Sequence, residues 1–283
     1  MRLFLYFKLN ILKKIMKILI ISIMLFFQIS YSQNEKILRV QYIETIAQHP
    51  KIVARNMGTL YVSENYSYYK VEPKNIEKKD EIEVEETIIT GSQENNYRFS
   101  EVIVNKKEKK LTERLYENIF IKKHYAIKEN LPIMKWKLIN EEKTIKNFIC
   151  KKAKIIFRGR SYTAWYTEKI QISSGPWKFN SLPGLIISVS DDSGIYKWEA
   201  NSLKYPYENK EIDFKKIILN KSKYQPISYK DFDQKRIKAI YDKIETIRAR
   251  NADRQDGNKV NFSYSTFLDK EPINEWRNEN NFE

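Results

Sequence analysis

The sequence predicts a mainly β protein: a curved antiparallel sheet, built as a sandwich or a half-barrel, with one C-terminal α-helix. Three observations lead there. From Glu35 onward the chain is dominated by short runs rich in Ile, Val, Tyr, Phe and Thr, with same-face pairs at spacing two: Val40/Tyr42, Leu60/Val62, Ile82/Val84 and Val102/Val104. Strands do not alternate with long amphipathic helices before residue 228, which argues against a parallel α/β sheet. A single isoleucine stripe at helical spacing then follows near the C-terminus. With 283 residues, 42% hydrophobic and 13% aromatic, the chain can fill a core, and seven glycines with one cysteine exclude collagen-like and disulfide-scaffold classes.

Residues 1–32 read as a cleaved export signal. They contain no acid and five bases (Arg2, Lys8, Lys13, Lys14, Lys17). The apolar run Ile18–Ile29 has secretory length, and Ser30-Tyr31-Ser32 places small residues for cleavage before Gln33. Met16-Lys17 ahead of that run makes Met16 a second candidate start. An uncleaved anchor is the competing reading, although Lys13, Lys14 and Lys17 interrupt the longer stretch. The mature chain contains no other stretch apolar enough to span a bilayer, so an exported, periplasmic protein is expected.

Further strand-like runs are Ile119–Ile127, Met134–Ile139, Lys154–Phe157, Ser161–Thr167, Leu185–Val189, Ile195–Ala200 and Ile212–Leu219. Polar stretches at Glu72–Asp80, Asn105–Lys110 and Asn140–Lys143 read as turns. Asp191-Asp192-Ser193-Gly194 reads as a hairpin connection, with a calcium site as the lesser alternative. Leu182-Pro183-Gly184-Leu185 fits a type II turn, with Pro183 at the second position and Gly184 at the third, where positive φ is needed. Ser228 and Asp231 resemble a capping box opening a helix over 229–250, whose Ile237, Ile240, Ile244 and Ile247 form one apolar stripe. Residues 33–250 are expected to be a single β-rich domain, with 251–283 a polar, partly ordered tail; a two-domain split near Asn140 is the alternative.

Residues 148–200 concentrate rare residue types. They include Phe148-Ile149-Cys150-Lys151-Lys152-Ala153, then Arg158-Gly159-Arg160-Ser161-Tyr162-Thr163-Ala164-Trp165-Tyr166-Thr167. Gly175-Pro176-Trp177-Lys178-Phe179-Asn180-Ser181 and Leu182-Pro183-Gly184-Leu185-Ile186 follow. In order and spacing this segment resembles the GLPGLI family of exported proteins of two-membrane bacteria. Ser181 replaces the first glycine of that signature; if one of its glycines needs positive φ, the expectation is Gly184. The resemblance implies export, an unassigned function and work beside outer-membrane transport proteins, and it brings no catalytic residues.

On an extended strand Arg160, Tyr162, Ala164, Tyr166 and Glu168 share one face, and Trp165 lies on the other. Arg160, Tyr162, Trp165, Tyr166 and Glu168 are the binding candidates, with Trp165 expected to pack into the core or line a pocket. Pro183 and Gly184 are expected to be architectural. Cys150, the only cysteine, is a buried structural thiol or a reactive one activated by neighbouring lysines.

Two histidines and one cysteine offer no zinc-type spacing, and neither a Gly-rich phosphate loop nor a Gly-x-Ser-x-Gly elbow occurs. No cofactor or metal is expected, and no positive case for an enzyme arises. A formal charge of +15 is spread along the chain and interleaved with acids, so anionic envelope components suit it better than nucleic acid. The leading expectation is a non-enzymatic periplasmic protein binding a partner or ligand near the outer membrane, in one form accessory to a transporter there. Its rivals are a carrier enclosing a lipid in a half-barrel and an envelope hydrolase using Cys150 or paired carboxylates.

Overall fold

The computed structural model describes residues 12–22, 36–49, 52–72, 76–78, 100–116, 123–208, 212–220 and 223–252. The chain divides into two compact units, Met1–Lys36 and Ile37–Glu283. In the first, residues 12–22 form a helix (α1) whose Leu12, Ile15, Met16, Ile18, Leu19, Ile20 and Ile21 are all more than half exposed. Among the described residues no helix is long and apolar enough to cross a membrane.

The second unit is one sheet. Its strands are β1 (Ile37–His49), β2 (Ile52–Val62), β3 (Tyr66–Glu72), β4 (Ile76–Lys78), β5 (Ser100–Asn105), β6 (Lys110–Leu115) and β7 (Tyr125–Asn130). After these come β8 (Lys137–Ile145), β9 (Phe148–Phe157), β10 (Arg160–Thr167), β11 (Leu185–Asp191) and β12 (Tyr196–Tyr207). The helix α2 (Phe214–Leu219), β13 (Gln225–Ile227) and the long helix α3 (Tyr229–Ala252) complete the chain. The order across the sheet is β13-β7-β6-β5-β3-β2-β1-β12-β11-β10-β9-β8, with β4 pairing β2 beside it. Every pairing is antiparallel except β13 on β7, a parallel addition reached through α2.

The sheet is open but strongly curled. β7 and β9 stand nine places apart in the strand order, a separation of roughly 40 Å in a flat sheet at ~4.8 Å per strand. Yet Arg158, at the end of β9, forms an ion pair with Glu129 of β7. Side chains, not a strand ladder, join the two ends, so the architecture is a half-barrel rather than a sandwich. The same-face pairs at spacing two build its core: Leu38, Val40, Tyr42, Leu60, Val62, Val102 and Val104 are all buried. Ile82 and Val84 lie outside the described residues.

Local chemistry explains the connections. Lys146 and Asn147, both at positive φ, join β8 to β9, and Arg158-Gly159, also both positive, joins β9 to β10; that is the backbone of two-residue hairpins. Gly194 at φ +77° closes the turn from Asp191, with its N–H donating to the Asp191 carbonyl at 3.2 Å. At the start of α3 the Asp231 N–H donates to Ser228 Oγ at 3.0 Å, the N-cap half of a capping box, and that hydroxyl donates to Asp231 Oδ2 at 2.6 Å, which ties the two side chains together. Phe232 of α3 packs edge-on to Tyr125 of β7, and Ile237, Ile240 and Ile244 are buried.

Two sequence expectations are corrected. The expected strand Ile212–Leu219 is largely helical. Asp213 caps α2 by accepting the Lys216 N–H at 3.0 Å, and Phe214, Ile217 and Ile218, at spacings three and four, pack with Tyr66, Tyr68 and Ile103 on the sheet. The expected turn Asn140–Lys143 lies inside β8, where a register shift between Ile139 and Glu142 absorbs the polar residues as a bulge. The proposed split near Asn140 therefore falls within a paired strand.

Candidate functional site

Strand β10 alternates from Arg160 to Tyr166, after which Thr167 is also buried. Arg160, Tyr162, Ala164 and Tyr166 are buried, whereas Ser161, Thr163 and Trp165 are partly exposed. The first set faces a core that leaves its polar groups engaged. Arg160 Nη1 sits 2.7 Å from Asp191 Oδ2, and its guanidinium lies 5.2 Å from the centroid of the Tyr196 ring. Asp191 also accepts the Tyr196 N–H at 2.6 Å and the Ser193 hydroxyl, so its carboxylate is spent on closing the β11–β12 turn. Tyr162 meets Phe179 edge-on at 4.9 Å and Trp198 at 6.5 Å. Burial, with the charge of Glu168 second, pushes the Tyr166 phenol upward.

Trp165, on the opposite face, is half-buried and packs against the main core cluster, with Lys143 Nζ 4.0 Å from its ring centroid and Lys152 Nζ 5.7 Å away. Glu168 pairs at the surface with Lys151 at 2.7 Å. The five binding candidates thus do not converge on one cavity. Cys150 is fully buried, and burial raises its thiol pKa, the opposite of activation; the lowering influence of Lys143 is smaller.

The segment between β10 and β11 forms the site instead. It runs across the interior of the curled sheet, and Trp177 and Phe179 lock into a ring cluster with Trp198, Phe157 and Tyr162. Each such ring pair contributes ~0.5–1.5 kcal/mol beyond burial. Between these aromatics Lys178 is fully buried. Its ammonium lies 2.9 Å from Glu113 Oε2 on β6 and 3.0 Å from Glu129 Oε1 on β7. The second contact is an ion pair without hydrogen-bond alignment. Arg158 pairs with the same Glu129, and both cations lie about 5 Å from the Tyr229 ring centroid at the start of α3. Two cations and two carboxylates neutralise one another at the seam where the ends of the sheet meet.

Beside this brace is a cleft of about 220 Å³. One wall is segment 173–181; the other comes from Ser67 on β3, Val104 and Lys106 at the end of β5, and Leu131 after β7. Gly175 is small because Ile186 packs against it: a Cβ there would lie 2.7 Å from the Ile186 side chain. The segment is held by backbone bonds, Ile186 N–H to Ser174 O at 3.0 Å and Phe179 N–H to Pro176 O at 3.1 Å, and by Trp136 Nε1 donating to Asn180 O at 2.8 Å. Trp177 (φ +52°) and Ser181 (φ +70°) occupy the left-handed region, a strained conformation for side chains other than glycine.

Here the glycine expectation is reversed. Gly184 is not left-handed; it passes so close to β10 that a Cβ would lie 2.1 Å from the Thr167 carbonyl oxygen. Ser181 bears the positive φ, where a glycine would sit without steric cost. Pro183 and Gly184 therefore act through close packing of the bend, not through a type II turn.

The family described as N-glycanase peptide, N-terminal domain, matches residues 40–231. The chain belongs to this family. Two solved structures of PNGF-II, in different space groups, are each 15% identical with a TM-score of 0.49 over 72% of this chain. The alignment spans only about a third of PNGF-II, 33% in one crystal form and 34% in the other. An uncharacterized conserved protein from Thermus thermophilus is similar at 8% identity and TM-score 0.37, over 69% of this chain and 91% of that one. No curated protein matches the sequence.

Lys178, Glu113, Glu129 and Ser67 were not among the residues singled out from sequence. A lysine inside Trp-Lys-Phe was a usable signal, because a charged residue flanked by two buried aromatics must either snorkel or find partners.

Proposed function

We propose that this family member is an exported, non-catalytic binding protein of the bacterial envelope that engages a partner or ligand beside the outer membrane through the cleft at segment 173–181. The observation behind this reading is the construction of that cleft. Its wall is the segment richest in unusual residues, braced by a buried ion cluster and a five-ring aromatic contact set, and strained at two positions. Rigid support with stored backbone strain is what a preformed recognition site requires. Export is supported by the basic, acid-free leader and by the exposed apolar helix α1, and placement beside the outer membrane by the GLPGLI resemblance.

The lipid-carrier reading needs an open apolar hollow. The hollow of this half-barrel is occupied by the chain's own Trp177, Phe179 and Trp198. A hydrolase relying on Cys150 needs an accessible thiolate, and this thiol is enclosed with a raised pKa. Family membership favours one further reading, in which the partner is a glycan-bearing chain.

The deciding experiment is crosslinking in intact envelopes, followed by mass spectrometry of co-purified proteins and lipids, with the natural chain and Ser67→Trp compared. Ser67 lines the cleft without belonging to the brace, so an indole there fills the space and leaves the ion cluster intact. A partner captured by the natural chain and lost with Ser67→Trp supports the proposal. Equal capture by both, or co-purified lipid alone, refutes it.

A further inference from the structure

The charges around the cleft select a class of ligand. Two charged side chains line it, Lys106 and Lys178, and no carboxylate does; the other polar lining residues are serines and one asparagine. Lys178 turns its ammonium to Glu113 and Glu129, so its charge is balanced away from the cleft. Lys106 belongs to a different group. It opens the β5–β6 turn Lys106-Lys107-Glu108-Lys109, which leads into Lys110 at the start of β6, so the chain leaving this lining position carries four cations to one acid.

This turn is fixed to the cleft wall. The Leu131 N–H donates to the Lys109 carbonyl at 2.8 Å, the Lys106 N–H to Asn65 O at 2.9 Å, and Lys106 Nζ to Ser63 O at 2.7 Å. The Glu108 N–H donates to Asn105 Oδ1 at 3.0 Å, which closes the turn with a side-chain cap. A basic rim held in one geometry beside a small cleft concentrates field lines and raises the local concentration of anions. The volume, about 220 Å³, falls below that of pockets enclosing whole drug-sized ligands and suits one head group with a short stem. Hydroxyl and amide donors on the lining complement such a group, and the apolar wall of Val104 and Leu131 suits its stem.

Resting on the reading of this cleft as the binding site, we infer that it takes an anionic head group, a carboxylate or a phosphoryl, with the rest of the ligand lying over the β5–β6 turn. Lys106 supplies the charged contact alongside its bond to Ser63 O, and Ser67 supplies a hydroxyl donor.

The test is titration of the full chain with inorganic phosphate and, separately, with acetate, followed by calorimetry at low ionic strength. The variants are Lys106→Gln, Ser67→Trp and the control Lys197→Gln, on a surface strand away from the lining. One probe is expected to bind saturably and to weaken as salt rises. Lys106→Gln should reduce affinity about tenfold, as loss of one charge-assisted contact does. Ser67→Trp should abolish binding, and Lys197→Gln should leave it unchanged. Melting temperatures within a few degrees of the natural chain show that the variants are folded. Which probe binds separates phosphoryl from carboxylate.

Anion binding that survives both Lys106→Gln and Ser67→Trp is nonspecific and overturns the inference. So does the absence of anion binding when Ser67→Trp still abolishes partner capture from envelopes; in that case the cleft remains the site and its ligand is neutral. If Ser67→Trp changes neither anion binding nor capture, the reading of the cleft as the site falls as well.

Discussion

Replacing Lys178 by methionine separates the brace from everything around it. The substitution keeps an unbranched stem in the same apolar slot between Trp177 and Phe179 and deletes only the ammonium. Glu113 and Glu129, whose side chains are 10% and 11% exposed, then lose the cation they share, while Arg158 stays paired with Glu129. Among these four groups the balance shifts from neutral to one excess negative charge. Breaking a buried pair by removing one partner costs about 3–5 kcal/mol. At about 2–4 °C per kcal/mol for a domain of this size, the melting temperature should fall by roughly 6–20 °C. Near-ultraviolet circular dichroism is the appropriate assay, because Trp177 and Trp198, stacked at 6.1 Å, report on the same region. The double variant Lys178→Met with Glu113→Gln restores neutrality and should recover a measurable part of the loss, with a coupling of about 1–3 kcal/mol. A single variant that melts within about 2 °C of the natural chain, or a double variant no better than the single, would show that the four charges are solvated independently and that the ends of the sheet are held by packing alone.

Other perturbations address other parts of the same segment. Gly184→Ala should destabilise by about 1–3 kcal/mol, since the new Cβ would meet backbone atoms of Thr167 that cannot move without β10; a neutral result in urea denaturation would remove the close-approach explanation. Ser181→Gly should be neutral to stabilising by up to about 1 kcal/mol, as release of the left-handed strain exceeds the entropy cost of glycine, and a clear loss in the same assay would mean that the Ser181 hydroxyl bond to Asn180 outweighs the strain. Burial raises the phenols of Tyr42 and Tyr69 far above the ordinary tyrosine range. The folded state therefore retains protons that the unfolded state has lost above pH ~10, and stability should decline as pH rises through that point. Tyrosinate absorbance in the near ultraviolet should accordingly rise together with unfolding; gradual titration of Tyr42 in a folded chain would contradict the burial argument. The raised Cys150 thiol should likewise resist alkylation at pH ~8 until denaturant unfolds the chain, and rapid labelling of the native protein would place it at the surface.

Much of the half-barrel was legible because each strand is patterned for one wet and one dry face. The parity of β10 put Arg160, Tyr162 and Tyr166 together correctly, as their shared burial confirms. Parity does not say which face is inside, however, and the aromatic-rich face that suggested a groove is a filled core. α2 escaped notice because Ile and Phe are strand formers by propensity; the Asp213 cap and the three-four spacing of Phe214, Ile217 and Ile218 were the competing signals, and they prevailed once that face found the sheet. Apart from Lys178 in its Trp-Lys-Phe setting, the ion cluster was not legible. Glu113, Glu129, Arg158 and Lys178 come from four separate places in the chain and meet only because the sheet curls. Likewise the cleft lining draws on β3, the end of β5, the residue after β7 and segment 173–181, a juxtaposition no local pattern encodes.

The strand order has a consequence for how the chain acquires its shape. β1, the first strand made, lies in the middle of the sheet, and one of its two neighbours is β12, with Ile43 opposite Glu199. Tyr42 donates a hydrogen bond to the Ile186 carbonyl, 144 residues further along. A ribosome must therefore finish nearly three-quarters of the 283 residues before the central seam can close. Closing so long a loop is entropically costly and slow, so the topology favours late, cooperative folding with high contact order. Until β12 emerges, the two wings of the sheet have no common centre, and the nascent polypeptide remains threadable. Under the proposed export, this delay would keep the chain threadable through a narrow secretion channel, with the final pairing deferred to the far side of the membrane.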